Sequence, residues 1–135
     1  NKFGVLNKNL FFIREVPKNY LVNIYSAASV CTSLFLPLKE MEANSANKFF
    51  DALAAGKPIM INYRGWQAKL IEENNIGIVV SSNNASLAAQ ELETLITDKK
   101  RLLSNGKSAR ELGLKLFDRE KLYKSFESVF LSVSN

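Results

Sequence analysis

What most restricts the fold of this chain is the way short, continuously apolar runs alternate with stretches that keep a helical period. Four runs read as strands: LFFI (Leu10–Ile13), SVCTSLFL (Ser29–Leu36), IMIN (Ile59–Asn62) and GIVV (Gly77–Val80). Helical patterns separate them. Pro17 opens one in which Leu21, Ile24 and Tyr25 share a face, a second runs through the forties and fifties, and a third spans about Gln67 to Glu73. Strands joined by helices of this length pair in parallel. The spacing therefore predicts an α/β, doubly wound, Rossmann-like sheet. The unbroken apolar character of IMIN and GIVV predicts burial on both faces.

Beyond Val80 the pattern is helical throughout. Ser86 is placed to cap a helix with Ala88, Leu92, Leu95 and Ile96 on one side. A second follows through Leu102, Leu103, Ala109, Leu112 and Leu116, and Asp118 is placed to cap a third with Leu122, Phe126, Val129 and Phe130 aligned. With no internal repeat or low-complexity linker, the expectation is one domain over 1–135, with β-α-β units in 1–80 and helices in 81–135.

Several kinds of chemistry are excluded by what the chain lacks. It has no histidine. Histidine metal sites, Ser-His triads and imidazole bases are therefore absent from it. Its one cysteine, Cys31, lies in an apolar run and is expected in the core rather than as a nucleophile. No run of ~18 apolar residues could span a bilayer, and the first ten residues lack a signal peptide's apolar centre. A cytoplasmic protein is the expectation. The net charge is +5 but uneven: from Lys99 to Lys124 there are nine Lys or Arg against three acids, or +6. Such a face suits an anionic membrane if it is more than a solvated helix surface. Without aromatic residues interleaved among the cations, no nucleic acid partner is expected.

The stretch NSANKFFDALAAGKP (Asn44–Pro58) is the most informative. Asn44 or Ser45 can cap its start, and Gly56 followed by Pro58 ends it. Ala46, Phe49, Phe50, Leu53 and Ala54 form an apolar stripe for the sheet. Asn44, Asn47, Lys48 and Asp51 take the other side. Lys48 occupies the first turn, where a cation is unfavourable by roughly 0.3–1 kcal/mol. An anion would resolve that conflict, because free backbone N–H groups and a lysine together suit phosphate. Asp51, one turn on, could accept hydrogen bonds from a diol. A surface Lys–Asp pair at i, i+3 explains the same spacing. Taken alone, the spacing leaves both readings open. In doubly wound sheets, ligands bind beyond the carboxyl ends of strands, which is where the loop 37–47 leads.

The segment NSANKFFDALAAGKPIMINYRGW resembles the nucleotide-sugar signature of GT-B glycosyltransferases, especially glycosyltransferase family 4. That signature has two carboxylates spaced by seven residues, then Ala-x-Ala/Cys-x-Gly-x-Pro and a buried strand. Asp51, ALAAGKP and IMIN match it. FFIREVPKNYLVNIYSAASV, NNIGIVV, SLAAQELETLI and SARELG are similar to the family's flanking segments. The Asn-Ser-x-Asn-Lys subgroup resembles bacterial O-antigen and capsule enzymes. Two positions depart from the pattern: Ala43 stands where the first carboxylate is usual, and Arg64 where glycine is.

The resemblance implies a retaining sugar transfer from a nucleoside diphosphate, with UDP and an N-acetylhexosamine expected. It gives Asp51 the ribose hydroxyls. The amides around Ser45, Ala46 and Asn47, with Lys48 as the catalytic cation, would take the diphosphate. Arg14 and Val16 would border the base, and Arg64 and Gly65 would approach the donor. No metal or other cofactor is expected. It further implies that these residues are the latter part of a donor-binding domain, inactive alone and prone to dimerise. The acceptor, a lipid-linked saccharide at the inner membrane face, would lie on an N-terminal domain. A nucleotide-sugar epimerase of the same fold and a non-enzymatic α/β interaction module are the alternatives.

Overall fold

The computed structural model describes residues 3–133. The sheet has three parallel strands in the order β1 (Cys31–Ser33), β2 (Ile59–Ile61) and β3 (Gly77–Val79). Cys31 pairs with Ile59, and Ile59 with Gly77. Helix α1 (Lys18–Ala27) precedes the sheet. A 3-10 helix (Lys39–Ala43) and α2 (Asn47–Ala55) join β1 to β2, and α3 (Trp66–Asn74) joins β2 to β3. The tail comprises α4 (Ala85–Thr97), α5 (Lys99–Leu116) and α6 (Arg119–Val133). The α/β class and the parallel pairing are as the apolar runs predict.

The central strand is buried throughout, since α2, α3 and α5 cover one of its faces. There Phe49, Leu53, Ile59, Ile61, Ile71 and Ala109 form the core. Met60, alternating to the other face, looks toward Ala88 and Leu92 of α4 across a cavity of about 330 Å³. The edge strand β3 is only half-buried, so GIVV is not covered on both sides as expected. Rings from three regions meet over the core: Phe50 lies 5.1 Å from Phe117, and Phe49 lies 5.8 Å from Trp66. Each such contact adds roughly 0.5–1.5 kcal/mol to the area buried.

Helix α2 ends as its residues dictate. Gly56 takes φ +64, the Lys57 N–H donates to the Ala52 carbonyl at 3.0 Å, and the Gly56 N–H donates to that of Leu53 at 3.0 Å. This is a Schellman closure. Two glycines of α5, two turns apart, then let that helix approach α2 closely. A Cβ on Gly106 would sit 2.6 Å from the Gly56 carbonyl oxygen, and one on Gly113 would sit 3.2 Å from Leu53 Cβ. Arg110, between them, donates to the Ala54 carbonyl.

Several expectations are corrected. LFFI is not a strand. Leu10 is held locally by its N–H to the Val5 carbonyl, and Phe11, Phe12 and Ile13 are exposed. A strand needs a neighbouring ladder, and these residues meet none. SVCTSLFL is extended and paired only over Cys31–Ser33. Neither Asn44 nor Ser45 caps α2. The Asn44 N–H closes the 3-10 helix on Met41, so α2 starts later, with Ala46 at the cap position and no side-chain cap. Asn84 caps α4 in place of Ser86, its Oδ1 accepting from the Leu87 N–H at 2.9 Å. Asp118 caps α6 as expected, accepting from the Lys121 N–H at 3.0 Å. On α2, Ala52 is buried while Ala54 is exposed, the reverse of the expected stripe.

The backbone contact at Gly106 yields a stability prediction. Gly106→Ala gains helix propensity but forces α5 away from a backbone oxygen that cannot move independently. The expected net loss is about 1–3 kcal/mol, read as a lower urea midpoint. An unchanged midpoint would contradict the close α2–α5 packing.

Candidate functional site

The carboxyl rim of the sheet is built from the exits of β1 and β2. Asn62 uses its whole side-chain amide on the backbone of Phe35: Oδ1 accepts from the Phe35 N–H at 2.8 Å, and Nδ2 donates to its carbonyl at 2.9 Å. This clamp ends β1 and turns the chain through Pro37 into the 3-10 helix. On the neighbouring exit, Gly65 takes φ +104 and approaches Glu42 so closely that a Cβ would lie 1.9 Å from the Glu42 carbonyl oxygen. The loop entering α3 is thereby seated on the loop entering α2. Between them opens a cavity of about 290 Å³ whose lining includes Lys39, Glu42, Tyr63, Arg64 and Ser82.

Helix α2 begins at this rim. Ala46 is extended there, with φ −65 and ψ 122, and is buried, whereas Ser45, Asn47 and Lys48 are exposed. The first backbone bond of the helix is from the Phe49 N–H to the Ala46 carbonyl, at 3.0 Å. The amides of Asn47 and Lys48 precede it and have no carbonyl within the helix to bond. Among the described residues, the Lys48 side chain makes no hydrogen bond or ion pair. The site thus presents free N–H groups and a free cation, and no acid occupies the first turn of the helix.

Asp51 lies one turn on, roughly 6 Å along the axis from Asn47. It is exposed, and Tyr25 Oη of α1 donates to its Oδ2 at 3.4 Å. Burial pushes the Tyr25 phenol above its ordinary value, and the Asp51 charge adds to that. Asp51 belongs to the groove between α1 and α2, a cavity of about 360 Å³ whose lining includes Lys18, Leu21, Tyr25 and Ala54. The rim cavity and this groove are two separate spaces, and neither is lined by Ser45, Ala46, Asn47 or Lys48.

The other expected site residues are distributed differently. Arg14 and Val16 lie in the irregular segment 11–17; Arg14 is exposed and Val16 half-buried, and no hydrogen bond or ion pair joins Arg14 to α2. Arg64 lines the rim cavity, but its Nη1 is paired with Glu72 of α3 at 2.7 Å. Gly65 is required by its contact with Glu42, a backbone reason that holds with or without a ligand. Lys18, Lys39 and Ser82 were not singled out from the sequence, and the signal for Lys39 was its place in the loop after a rim strand. Glu42 stands near the first carboxylate of the signature but out of register with it, and Tyr25 was read only as part of a helical face with Leu21 and Ile24. No three His, Cys, Asp or Glu side chains among the described residues converge as a metal-binding set.

The profile of the family described as "Glycosyl transferases group 1" matches residues 5–112. The chain belongs to this family. As a group 1 glycosyltransferase domain, it carries a Rossmann-like α/β half of the GT-B type with a helical tail, and α6 lies beyond the matched residues. It is also similar to a protein of Bacillus subtilis (strain 168) named "Putative glycosyltransferase YtcC", with 25% identity over 126 residues. That match covers 93% of this chain and 30% of the relative's length. The matched span includes β1–β3, the rim cavity and the whole of α2.

Cys31 belongs to the core of this glycosyltransferase domain, as expected, at 8% exposure. Burial pushes its thiol above the ordinary 9.0, partly opposed by Lys57. Burial also raises Tyr25 and Tyr63 above 10.0. In each case the folded chain favours the neutral form. Their contribution to stability is therefore full below the ordinary values and lost as pH rises through the raised ones. We expect the urea midpoint to hold steady to about pH 9 and to fall above it. A midpoint flat to pH 11 would show that these groups titrate alike in both states.

Proposed function

We propose that this chain is the donor-binding part of a retaining glycosyltransferase. The observation that carries the reading is the start of α2: an uncapped helix opening at the carboxyl rim, with Lys48 unpaired in its first turn and Asp51 one turn behind. The amides of Asn47 and Lys48 together with the lysine cation offer a donor's diphosphate a helix-dipole site. As the glycosidic bond breaks, negative charge grows on the leaving diphosphate. Fixed N–H dipoles and the ammonium meet that charge without reorganising. Lys48 is the residue assigned to this stabilisation, and no metal is needed for it. Asp51, held loosely by Tyr25 at 3.4 Å, would exchange that bond for two ribose hydroxyls. Arg64 and Gly65 would border the sugar, and Arg14 and Val16 the base.

Likeness to the family 4 subgroup supports finer choices. The donor would be a UDP-sugar, with N-acetylhexosamine transferred. The acceptor would be a lipid-linked saccharide of O-antigen or capsule synthesis, held mostly by another domain at the cytoplasmic membrane face.

Titrating UDP, GDP and ADP against the chain tests the donor site. UDP is expected to bind, with Asp51→Ala and Lys48→Ala each weakening it by about 1.5–3 kcal/mol, roughly tenfold to a hundredfold. Without nucleotide, Lys48→Ala should leave thermal stability unchanged or slightly raised, because it removes a cation from the positive end of a helix. If no nucleotide binds, or binding ignores both substitutions, the helix start is a plain surface and the interaction-module reading takes its place.

A further inference from the structure

The turn from β2 into α3 is closed by a buried polar bridge. Tyr63 follows the strand and is 7% exposed, and Gln67, in the first turn of α3, is 1% exposed. The Tyr63 hydroxyl donates to Gln67 Oε1 at 2.6 Å and so spans Arg64 and Gly65. The Tyr63 ring also packs 5.1 Å from that of Phe35, whose backbone Asn62 clamps. The hydroxyl of Ser33, the last residue of β1, is buried beside the phenol without reaching hydrogen-bond geometry. Tyr63 thus joins the exits of β1 and β2 to the start of α3, and it lines the rim cavity with Arg64. Stability alone does not require this pair. Gln67 Nε2 is buried without a partner, which is destabilising. Phenylalanine and leucine would fill the same positions with less polar surface to desolvate. What the polar pair adds is direction, because a short buried hydrogen bond holds its two ends in one relative position. The ion pair of Arg64 with Glu72 holds the turn less firmly, since both side chains are more than half exposed and such pairs contribute little.

We propose that Tyr63 is a positioning residue for the donor's sugar: through Gln67 it fixes the turn that carries Arg64 and Gly65. The inference rests on the donor-binding reading above and adds to it the buried group that sets the sugar end of that site. Two further observations fit. The contact of Gly65 with the Glu42 carbonyl leaves no room for a Cβ, so the turn has one seat on the loop entering α2. Burial pushes the Tyr63 phenol above its ordinary 10.0, so at neutral pH its proton stays in place for Gln67. The nucleotide end is held by other means. Lys48 and Asp51 stand on α2, which α5 anchors through Gly106, Gly113 and Arg110. Loss of the bridge is therefore felt at the sugar and not at the nucleotide.

Titrating UDP and UDP-N-acetylglucosamine against the chain and two variants tests this. Tyr63→Phe strands Gln67 and should lower the urea midpoint. Tyr63→Phe with Gln67→Met replaces both partners by apolar groups of similar shape and should recover most of that loss. In both variants UDP is expected to bind within about twofold of the parent, and UDP-N-acetylglucosamine about three- to tenfold more weakly. A purely structural role would move the midpoint but not the ratio of the two dissociation constants. The proposal is overturned if that ratio is the same in the parent and both variants. It is overturned equally if the double variant restores the ratio along with the stability. A parent chain that binds UDP alone overturns this inference and leaves the donor-binding reading standing, whereas one that binds neither compound overturns both.

Discussion

The close approach of α5 to α2 is the contact on which the remainder of the molecule rests. Helix α2 has only nine residues, too few to be stable in water by themselves. Its position comes from Phe49, Ala52 and Leu53 facing the core and from α5 pressing against its C-terminal half. Gly106 and Gly113 remove the side chains that would hold the two backbones apart, and Arg110 binds the otherwise open Ala54 carbonyl between them. The far end of the same segment is fixed by other means. Gly65 is wedged against Glu42, and Asn62 clamps Phe35. A short helix held at its end by one element and at its approach by another keeps its first amides in a fixed direction. Preorganised dipoles of this kind can stabilise charge in a reaction without first rearranging.

How much of this was legible in the sequence depended on whether a feature was local. The end of α2 was readable because Gly56, Lys57 and Pro58 carry the whole geometry themselves. The cap at Asp118 was readable for the same reason, and so was the burial of Cys31 among apolar neighbours. The start of α2 was not, because the preceding 3-10 helix consumes the Asn44 N–H and shifts the cap to Ala46. The apolar stripe was drawn for a helix with one neighbour, the sheet. With α1 and α5 also alongside, the buried arc turns to include Ala52 in place of Ala54. LFFI has the composition of a strand but no partner strand, and composition cannot supply a ladder.

The site follows the same division. Lys48 and Asp51 share one helix, so their relation was visible as spacing. Lys39, Glu42, Arg64 and Ser82 come from three loops, and only the clamp and the glycine wedge make them lining residues of one cavity. The ion pair of Arg64 with Glu72 crosses from a loop to the next helix. Its consequence is specific: a cation in the rim cavity is already partly neutralised, whereas Lys48 is not. Of the positive groups near the rim that the resemblance indicated, the one on α2 is the better placed to meet an anion.

The start of α2 therefore departs twice from what stability would favour. Ala46 at the cap position forgoes roughly 0.5–2 kcal/mol relative to serine or asparagine, although both residue types stand immediately before it. Lys48 then adds a cation where the helix dipole favours an anion. The rest of the helix follows local rules closely, with a Schellman closure, a buried stripe and a glycine at its left-handed end. A capping side chain would occupy the amides of the first turn, and an acid at position 48 would repel a diphosphate. Both exceptions thus keep the same small volume open and positive. That volume lies at the carboxyl rim, where parallel sheets gather helix N-termini. Scattered exceptions would need no common cause, whereas two at the same end are what the proposed diphosphate site requires.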